Sequence, residues 1–243
     1  MKLQYCSITG ADDQVDVADL SAFAHSHPFV EWAILLLRDR AGQPRFPTTG
    51  WIENFTRHSH GQNKAMHLCD DAFLGFIGQD PEIKNLMSGF QRIQLNLKFG
   101  DVEGKYDPAE LVARVKENPQ HQFILQYTPD KQGLLPLFTG VPNHAVLYDA
   151  SAGRGINPDS WDPPLTGHFC GYAGGLSPAN LEQNLKMIAK VAAGQTTWID
   201  MESGVRTNDR FDLTKVRQVL DTAACYTAAP QYHHNNIATK APR

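Results

Sequence analysis

Apolar positions along this chain switch repeatedly between two rhythms, short runs of strand length and stripes at helical spacing. Leu3 to Cys6 reads as a first strand. A turn at Thr9-Gly10-Ala11-Asp12 and a helix from about Asp13 follow, with Val17, Leu20 and Ala24 on one face. Val30 to Leu37 is an apolar run, as expected of a strand buried on both sides. A loop rich in turn residues, Gly42 to Pro47, leads to a helix marked by Trp51, Ile52 and Phe55. Ala65 to Leu68 is a weakly marked third strand, and Glu82 to Phe90 a helix with Ile83, Leu86, Met87 and Phe90 on one side. Arg92 to Phe99 alternates cleanly and predicts the fourth strand. Pro108 starts a helix that carries Leu111 to Val115, Phe123 to Tyr127 is the fifth strand, and Leu134 to Phe138 a short, poorly patterned helix. His144 to Asp149, Phe169 to Ala173 and Thr196 to Asp200 complete the strands. Behind the seventh, Leu181, Leu185, Ile188 and Ala192 form one helical face, with Ser177 expected as its cap and Pro178 in its first turn. Asp212 caps a last helix bearing Leu213, Val216, Val219 and Leu220.

Eight strand-like runs alternating with helix-like ones predict a single (β/α)₈ TIM barrel; a doubly wound sheet is the alternative. The length of 243 residues agrees, since such barrels take about 250. The barrel is expected over residues 1–227, and the polar, aperiodic stretch 228–243 as a loose tail. A net charge of −4 argues against a nucleic-acid partner, and no apolar run reaches membrane length. The opening Met1 to Cys6 is not a signal peptide, so the expected compartment is the cytoplasm. Cys6, Cys69, Cys170 and Cys225 lie far apart with no Cys-x-x-Cys spacing and are expected as free thiols.

In a barrel of this kind the chemistry sits where strands end and loops begin. The strand-end polar residues are Cys6, Arg45 a little beyond its strand, Cys69, Asp70, Asp149 and Asp200. Gly171 to Pro178 reads as a strand end, a glycine pair and a helix start. Trp198 to Val205 repeats strand followed by a small-residue turn. Two such turns late in the chain match the usual phosphate site of the fold, which points to Gly174, Gly175, Ser203 and Gly204. The expected partner is a phosphorylated small molecule.

Several stretches together resemble the phosphoribosylanthranilate isomerases, the (β/α)₈ barrels of tryptophan biosynthesis. Gln4-Tyr5-Cys6-Ser7-Ile8-Thr9 is similar to that family's Lys-Ile-Cys-Gly-Ile-Thr opening. Arg45-Phe46 stands where the family has an arginine and an aromatic after strand two, and Leu147-Tyr148-Asp149 resembles its strand-six Leu-Leu-Asp. Gly153-Arg154-Gly155, with Asp159 and Trp161, resembles the glycine loop and Phe-Asp-Trp that follow. Ala173 to Asn180 is similar to Ser-Gly-Gly-Leu-Asn-Pro-Glu-Asn, and Asp200 to Val205 to Asp-Val-Ser-Ser-Gly-Val. The matches keep the family's order from Leu3 to about Asp221.

The resemblance implies an Amadori rearrangement of an N-(5-phosphoribosyl) amine into a 1-amino-1-deoxyketose phosphate, an aldose–ketose isomerisation by acid and base with no cofactor. It implies Cys6 as the base and Asp149 as the acid, with Arg45 on a substrate carboxylate and Asp200, Gly174, Gly175, Ser203 and Gly204 in substrate binding. Such an acid must keep its proton near neutral pH, which burial provides, and such a thiolate needs positive charge nearby. Three positions depart from the family. Ser7 replaces the glycine after the cysteine, Phe99 stands where a histidine is usual, and Glu202 replaces a serine beside the phosphate turn. A carboxylate at Glu202 repels phosphate unless it points away or pairs with Arg206. These departures motivate two alternatives, a barrel that binds a phosphorylated metabolite without this turnover and one that acts on another phosphosugar. A metal-dependent hydrolase is a third reading, suggested by His67, Cys69, Asp70, Asp71 and His144, although their spacing matches no metal motif.

Overall fold

The computed structural model describes residues 1–96, 104–127, 135–149 and 156–227. Phe99, Gly153, Arg154, Gly155 and the stretch 228–243 lie outside the described residues. Eight parallel strands close into a barrel in sequence order, so the TIM-barrel reading holds and the doubly wound sheet does not. The strands are β1 (Lys2–Thr9), β2 (Val30–Leu36), β3 (Asn63–Cys69), β4 (Arg92–Asn96), β5 (Gln122–Tyr127), β6 (His144–Asp149), β7 (Cys170–Ala173) and β8 (Thr196–Met201). The helices are α1 (Val17–Ser26), α2 (Thr49–His58), α3 (Asp70–Ile77), α4 (Pro81–Met87), α5 (Pro108–Glu117), α6 (Leu181–Val191) and α7 (Leu213–Ala224). A short hairpin, β9 (Arg206–Thr207) with β10 (Arg210–Phe211), follows β8.

The helices begin where side chains relieve their first N–H groups. Asp16 accepts from the Ala18 N–H to start α1, later than the expected Asp13. Asp107 does the same for α5, and Asp212 serves α7 as expected. α6 corrects the expectation. It starts at Leu181, with Asn180 rather than Ser177 in the cap position. The Asn180 side chain instead ties the turn before it, accepting from the Ser177 N–H at 2.9 Å and donating to the Gly175 carbonyl at 2.9 Å. The weak helix expected at Leu134 to Phe138 is a 3-10 turn over 135–138. Between β6 and β7 the described residues 156–169 form no helix. Trp161 fills that place, packed edge-on against Tyr172 with its indole N–H on the Asn184 side chain at 2.9 Å.

Strand alternation sorts the core into two shells. Leu3, Ile8, Val30, Trp32, Ile34, Met66, Leu68, Ile93, Leu95, Phe123 and Ile199 face the helices in one large apolar cluster. Ile124, Ala145, Leu147, Ala173 and Trp198 face the barrel axis, with Tyr5 and Phe169 beside them. The axis also holds a buried ion pair. Glu31, inside the apolar run of β2, accepts from Arg92 at 2.8 Å and from the Ser7 hydroxyl at 2.5 Å. The Arg92 guanidinium lies 4.2 Å from the ring centre of Trp198 and 5.0 Å from that of Tyr5. Gly171 is a glycine because Trp198 covers it: a Cβ there would lie 2.1 Å from the indole ring. This plug closes the lower barrel and leaves the C-terminal strand ends as the place for chemistry. Among the described residues no helix is long and apolar enough to cross a membrane.

Candidate active site at the C-terminal strand ends

Strands β6, β7 and β8 bring Asp149, Ala173 and Asp200 to one level, since Asp149 pairs with Ala173 and Ala173 with Asp200 in the strand register. Asp149 shares the inward phase of Ala145 and Leu147, and Asp200 that of Trp198. Two carboxylates therefore flank the small Ala173 side chain from strands about 10 Å apart. Asp149 accepts from the Gln126 side-chain amide at 2.7 Å. Asp200 accepts from the Thr9 hydroxyl at 2.6 Å. Burial, with Glu202, Glu31 and Asp149 as negative neighbours, pushes the Asp200 carboxyl up to about 7, against the Thr9 bond that lowers it. Asp200 thus exchanges its proton near neutral pH, the property expected from sequence of Asp149.

Cys6 is not in this group. Ser7 and Thr9 make the inward contacts of β1, to Glu31 and Asp200, so Cys6 has the opposite phase and packs in the helix-facing shell beside Leu3 and Ile8. It is fully buried, and burial followed by the charges of Asp200 and Glu31 pushes its thiol far above the ordinary range. Its charged neighbours are two carboxylates, where a thiolate base requires positive charge. Cys69, at the end of β3, is also held as a thiol, pushed up to about 12 by burial, and accepts from the Asn96 side chain at 3.2 Å.

Arg45 reaches the mouth from the loop after β2, but its guanidinium is already engaged. Nη1 donates to Glu202 at 2.6 Å and Nε to Asp209 at 2.8 Å, while its main-chain N–H donates to Asp12 at 2.8 Å. Glu202 is therefore neutralised by Arg45, not by Arg206. Arg206 instead donates to the Gly10 carbonyl at 2.5 Å and pairs with Asp12 at 3.1 Å.

The two glycine turns interlock. Gly175 has φ +60°, and a Cβ on it would lie 2.3 Å from the Asn157 nitrogen; a Cβ on Gly204 would lie 1.9 Å from the Leu176 carbonyl oxygen. Both glycines thus permit backbone to pack on backbone, a role the sequence did not distinguish from a cradle for a ligand. Ser203 and Gly204 open a 3-10 turn, whose first N–H groups have no partner within the turn itself.

The five residues of the metal-hydrolase reading do not converge. Asp71 pairs with Arg38 at 2.8 Å, His144 stands at the N-terminal end of β6, and His67 lies on the axis, where burial and then Arg92 depress its pKa to about 3. Among the described residues no group of three or more His, Cys, Asp or Glu is placed to hold a metal ion. Gln126, Thr9 and the Ser7–Glu31–Arg92 chain went unread in the sequence. The available signal was polar residues in the inward phase of apolar strands.

No protein-family model matches the sequence, and no curated protein matches it. Solved structures do. Over 92% of this chain and 98% of the other, the structure is similar to monomers of the dimeric phosphoribosylanthranilate isomerase of Thermotoga maritima, with a TM-score of 0.59 and 13% identity. The N-(5′-phosphoribosyl)anthranilate isomerase of Pyrococcus furiosus gives 0.57 and 15% over 91% of this chain and 99% of that one. KGPDC of Streptococcus mutans gives 0.52 and 10% over 91% and 99%. Across nine-tenths of its length the chain is similar in fold to phosphoribosylanthranilate isomerases, as a highly divergent (β/α)₈ barrel.

Proposed function

We propose that this barrel is an aldose–ketose isomerase that rearranges an N-(5-phosphoribosyl) amine into the 1-amino-1-deoxyketose phosphate. The observation that carries the reading is the pair of inward carboxylates, Asp149 and Asp200, on either side of Ala173 at the barrel mouth. Asp200, with a pKa of about 7, donates a proton to the furanose ring oxygen, and the ring opens to a protonated Schiff base. Asp149, oriented by Gln126, removes the proton from sugar C2. The resulting enaminol takes a proton at C1 and gives up the proton of its C2 hydroxyl, which leaves the ketose. Each step is a proton transfer, so electrons balance without a redox cofactor. The N–H groups around Gly174, Gly175, Ser203 and Gly204 hold the phosphate, with Glu202 neutralised beside them by Arg45. The base is assigned to Asp149 rather than Cys6 because the Cys6 thiol is buried among helix-facing residues with carboxylates as its charged neighbours.

The occupied guanidinium of Arg45 favours a second form of this reading, an isomerase whose substrate differs from phosphoribosylanthranilate. The test is turnover of two substrates, the phosphoribosyl adducts of anthranilate and of aniline, followed by absorbance and fluorescence. Conversion of either is expected, with kcat lowered about 10²–10⁴-fold in Asp149→Asn and in Asp200→Asn. Cys6→Ala should remain within about threefold of the native enzyme, and Ser203→Glu should raise KM by placing a charge at the phosphate turn. A folded native protein that converts neither adduct contradicts the reading.

A further inference from the structure

We infer that Glu202 determines which amine the site accepts: by occupying Arg45, it excludes a carboxylate on the amine portion and selects an uncharged one. This rests on the isomerase reading for the substrate class, but the contact itself is independent of it. Arg45 offers its fork to two carboxylates of its own chain, Nη1 to Glu202 and Nε to Asp209. The residue is fixed from behind as well, with φ +77° and its N–H on Asp12. Such a backbone is uncommon for a side chain other than glycine, and the Asp12 bond holds it there. The pair is fitted to its surroundings. Gly10, at φ +94°, lies beneath it, and a Cβ there would come within 3.4 Å of Glu202 Cγ and 3.9 Å of Arg45 Cβ.

The other arginine at this end is committed too. Arg206 is buried, bonded to the Gly10 and Asp209 carbonyls and paired with Asp12. Against these two guanidinium groups stand Glu202, Asp209 and Asp12, with Asp200 and Asp149 deeper in the mouth. A substrate carboxylate would have to displace Glu202 and would leave that charge unpaired next to Asp200. An uncharged amine meets neither penalty. Arg45 and Glu202 are each about one-third exposed, so the pair stands at the solvent edge of the site, where an amine portion would enter.

The test uses benzoate as a probe of the carboxylate subsite, titrated by calorimetry into the native protein and into Glu202→Gln/Asp209→Asn. The double variant should bind benzoate at least about tenfold more tightly, and adding Arg45→Met should remove the gain. Asp209→Asn alone, a change at an exposed side chain, should give a smaller gain in the same direction, so the outcome does not depend on the double variant folding. In turnover, the native preference for the aniline adduct over the anthranilate adduct should shift toward anthranilate by a similar factor in the double variant. Equal benzoate affinity in the native protein and the variants overturns the inference, as does native preference for the anthranilate adduct. If neither adduct turns over, the isomerase reading fails while the benzoate titration still decides the role of Glu202.

Discussion

Asp200 carries a proton to about pH 7 in the folded chain because burial and three negative neighbours oppose its ionisation. Its folded pKa is raised above the unfolded value of 3.8. The unfolded chain therefore loses this proton first, and the contribution to stability falls as pH rises from about 4 to about 7. His67 acts in the opposite sense. Its pKa, depressed from 6.5 to about 3, makes stability fall as pH drops through that interval. Asp200→Asn should thus be more stable than the native protein at about pH 8 and equal to it at about pH 3.5, by urea unfolding at both values. A difference that does not vary with pH would show that the carboxylate is not strained by its surroundings. At this scale the strand-end positions of Asp149 and Asp200, and that of Arg45 in the loop after β2, were legible in the sequence. It could not reveal the phase of Cys6. The β1–β8 register slips between Leu3 and Tyr5, and one residue of slip turns every following side chain to the other face. Nothing in Leu3-Gln4-Tyr5 announces that irregularity.

The turns after β7 and β8 behave as one element, because the Gly204 backbone abuts the Leu176 carbonyl. Gly204→Ala must move that backbone and should destabilise the fold by about 2 kcal/mol or more. Gly50→Ala, in α2 with open space around its Cβ position, should instead stabilise by about 0.5–1 kcal/mol. Thermal unfolding of the two variants checks the contrast, and a harmless Gly204→Ala would refute the interlock. Helices with a side-chain cap, such as α5 and α7, were legible. α3 was not. It follows β3 directly, with Cys69 in the cap position making no capping bond and Asp70 at φ +37°, so no side-chain cap marks where it starts.

For the molecule as a whole, the eightfold alternation of strand and helix carried the fold through a sequence only 10–15% identical to solved barrels of the same shape. The interior was less legible. Glu31 lies within the run read from sequence simply as an apolar strand, yet with Arg92 it forms the charged centre of the lower barrel, both side chains almost fully buried. Its partner is 61 positions away in the chain, which no local pattern connects. Glu31→Leu leaves Arg92 charged and buried and should cost about 3–5 kcal/mol by urea unfolding, whereas Glu31→Leu with Arg92→Met should recover much of that loss. A small effect of the single change would mean that water reaches the pair. The central claim is that Asp149 moves the C2 proton, and hydrogen release reports it most directly. With the aniline adduct deuterated at sugar C2, the native protein and Cys6→Ala should release the label to water at similar rates, and Asp149→Asn should release it at least about 100-fold more slowly. Release that survives in Asp149→Asn and disappears in Cys6→Ala would contradict the claim.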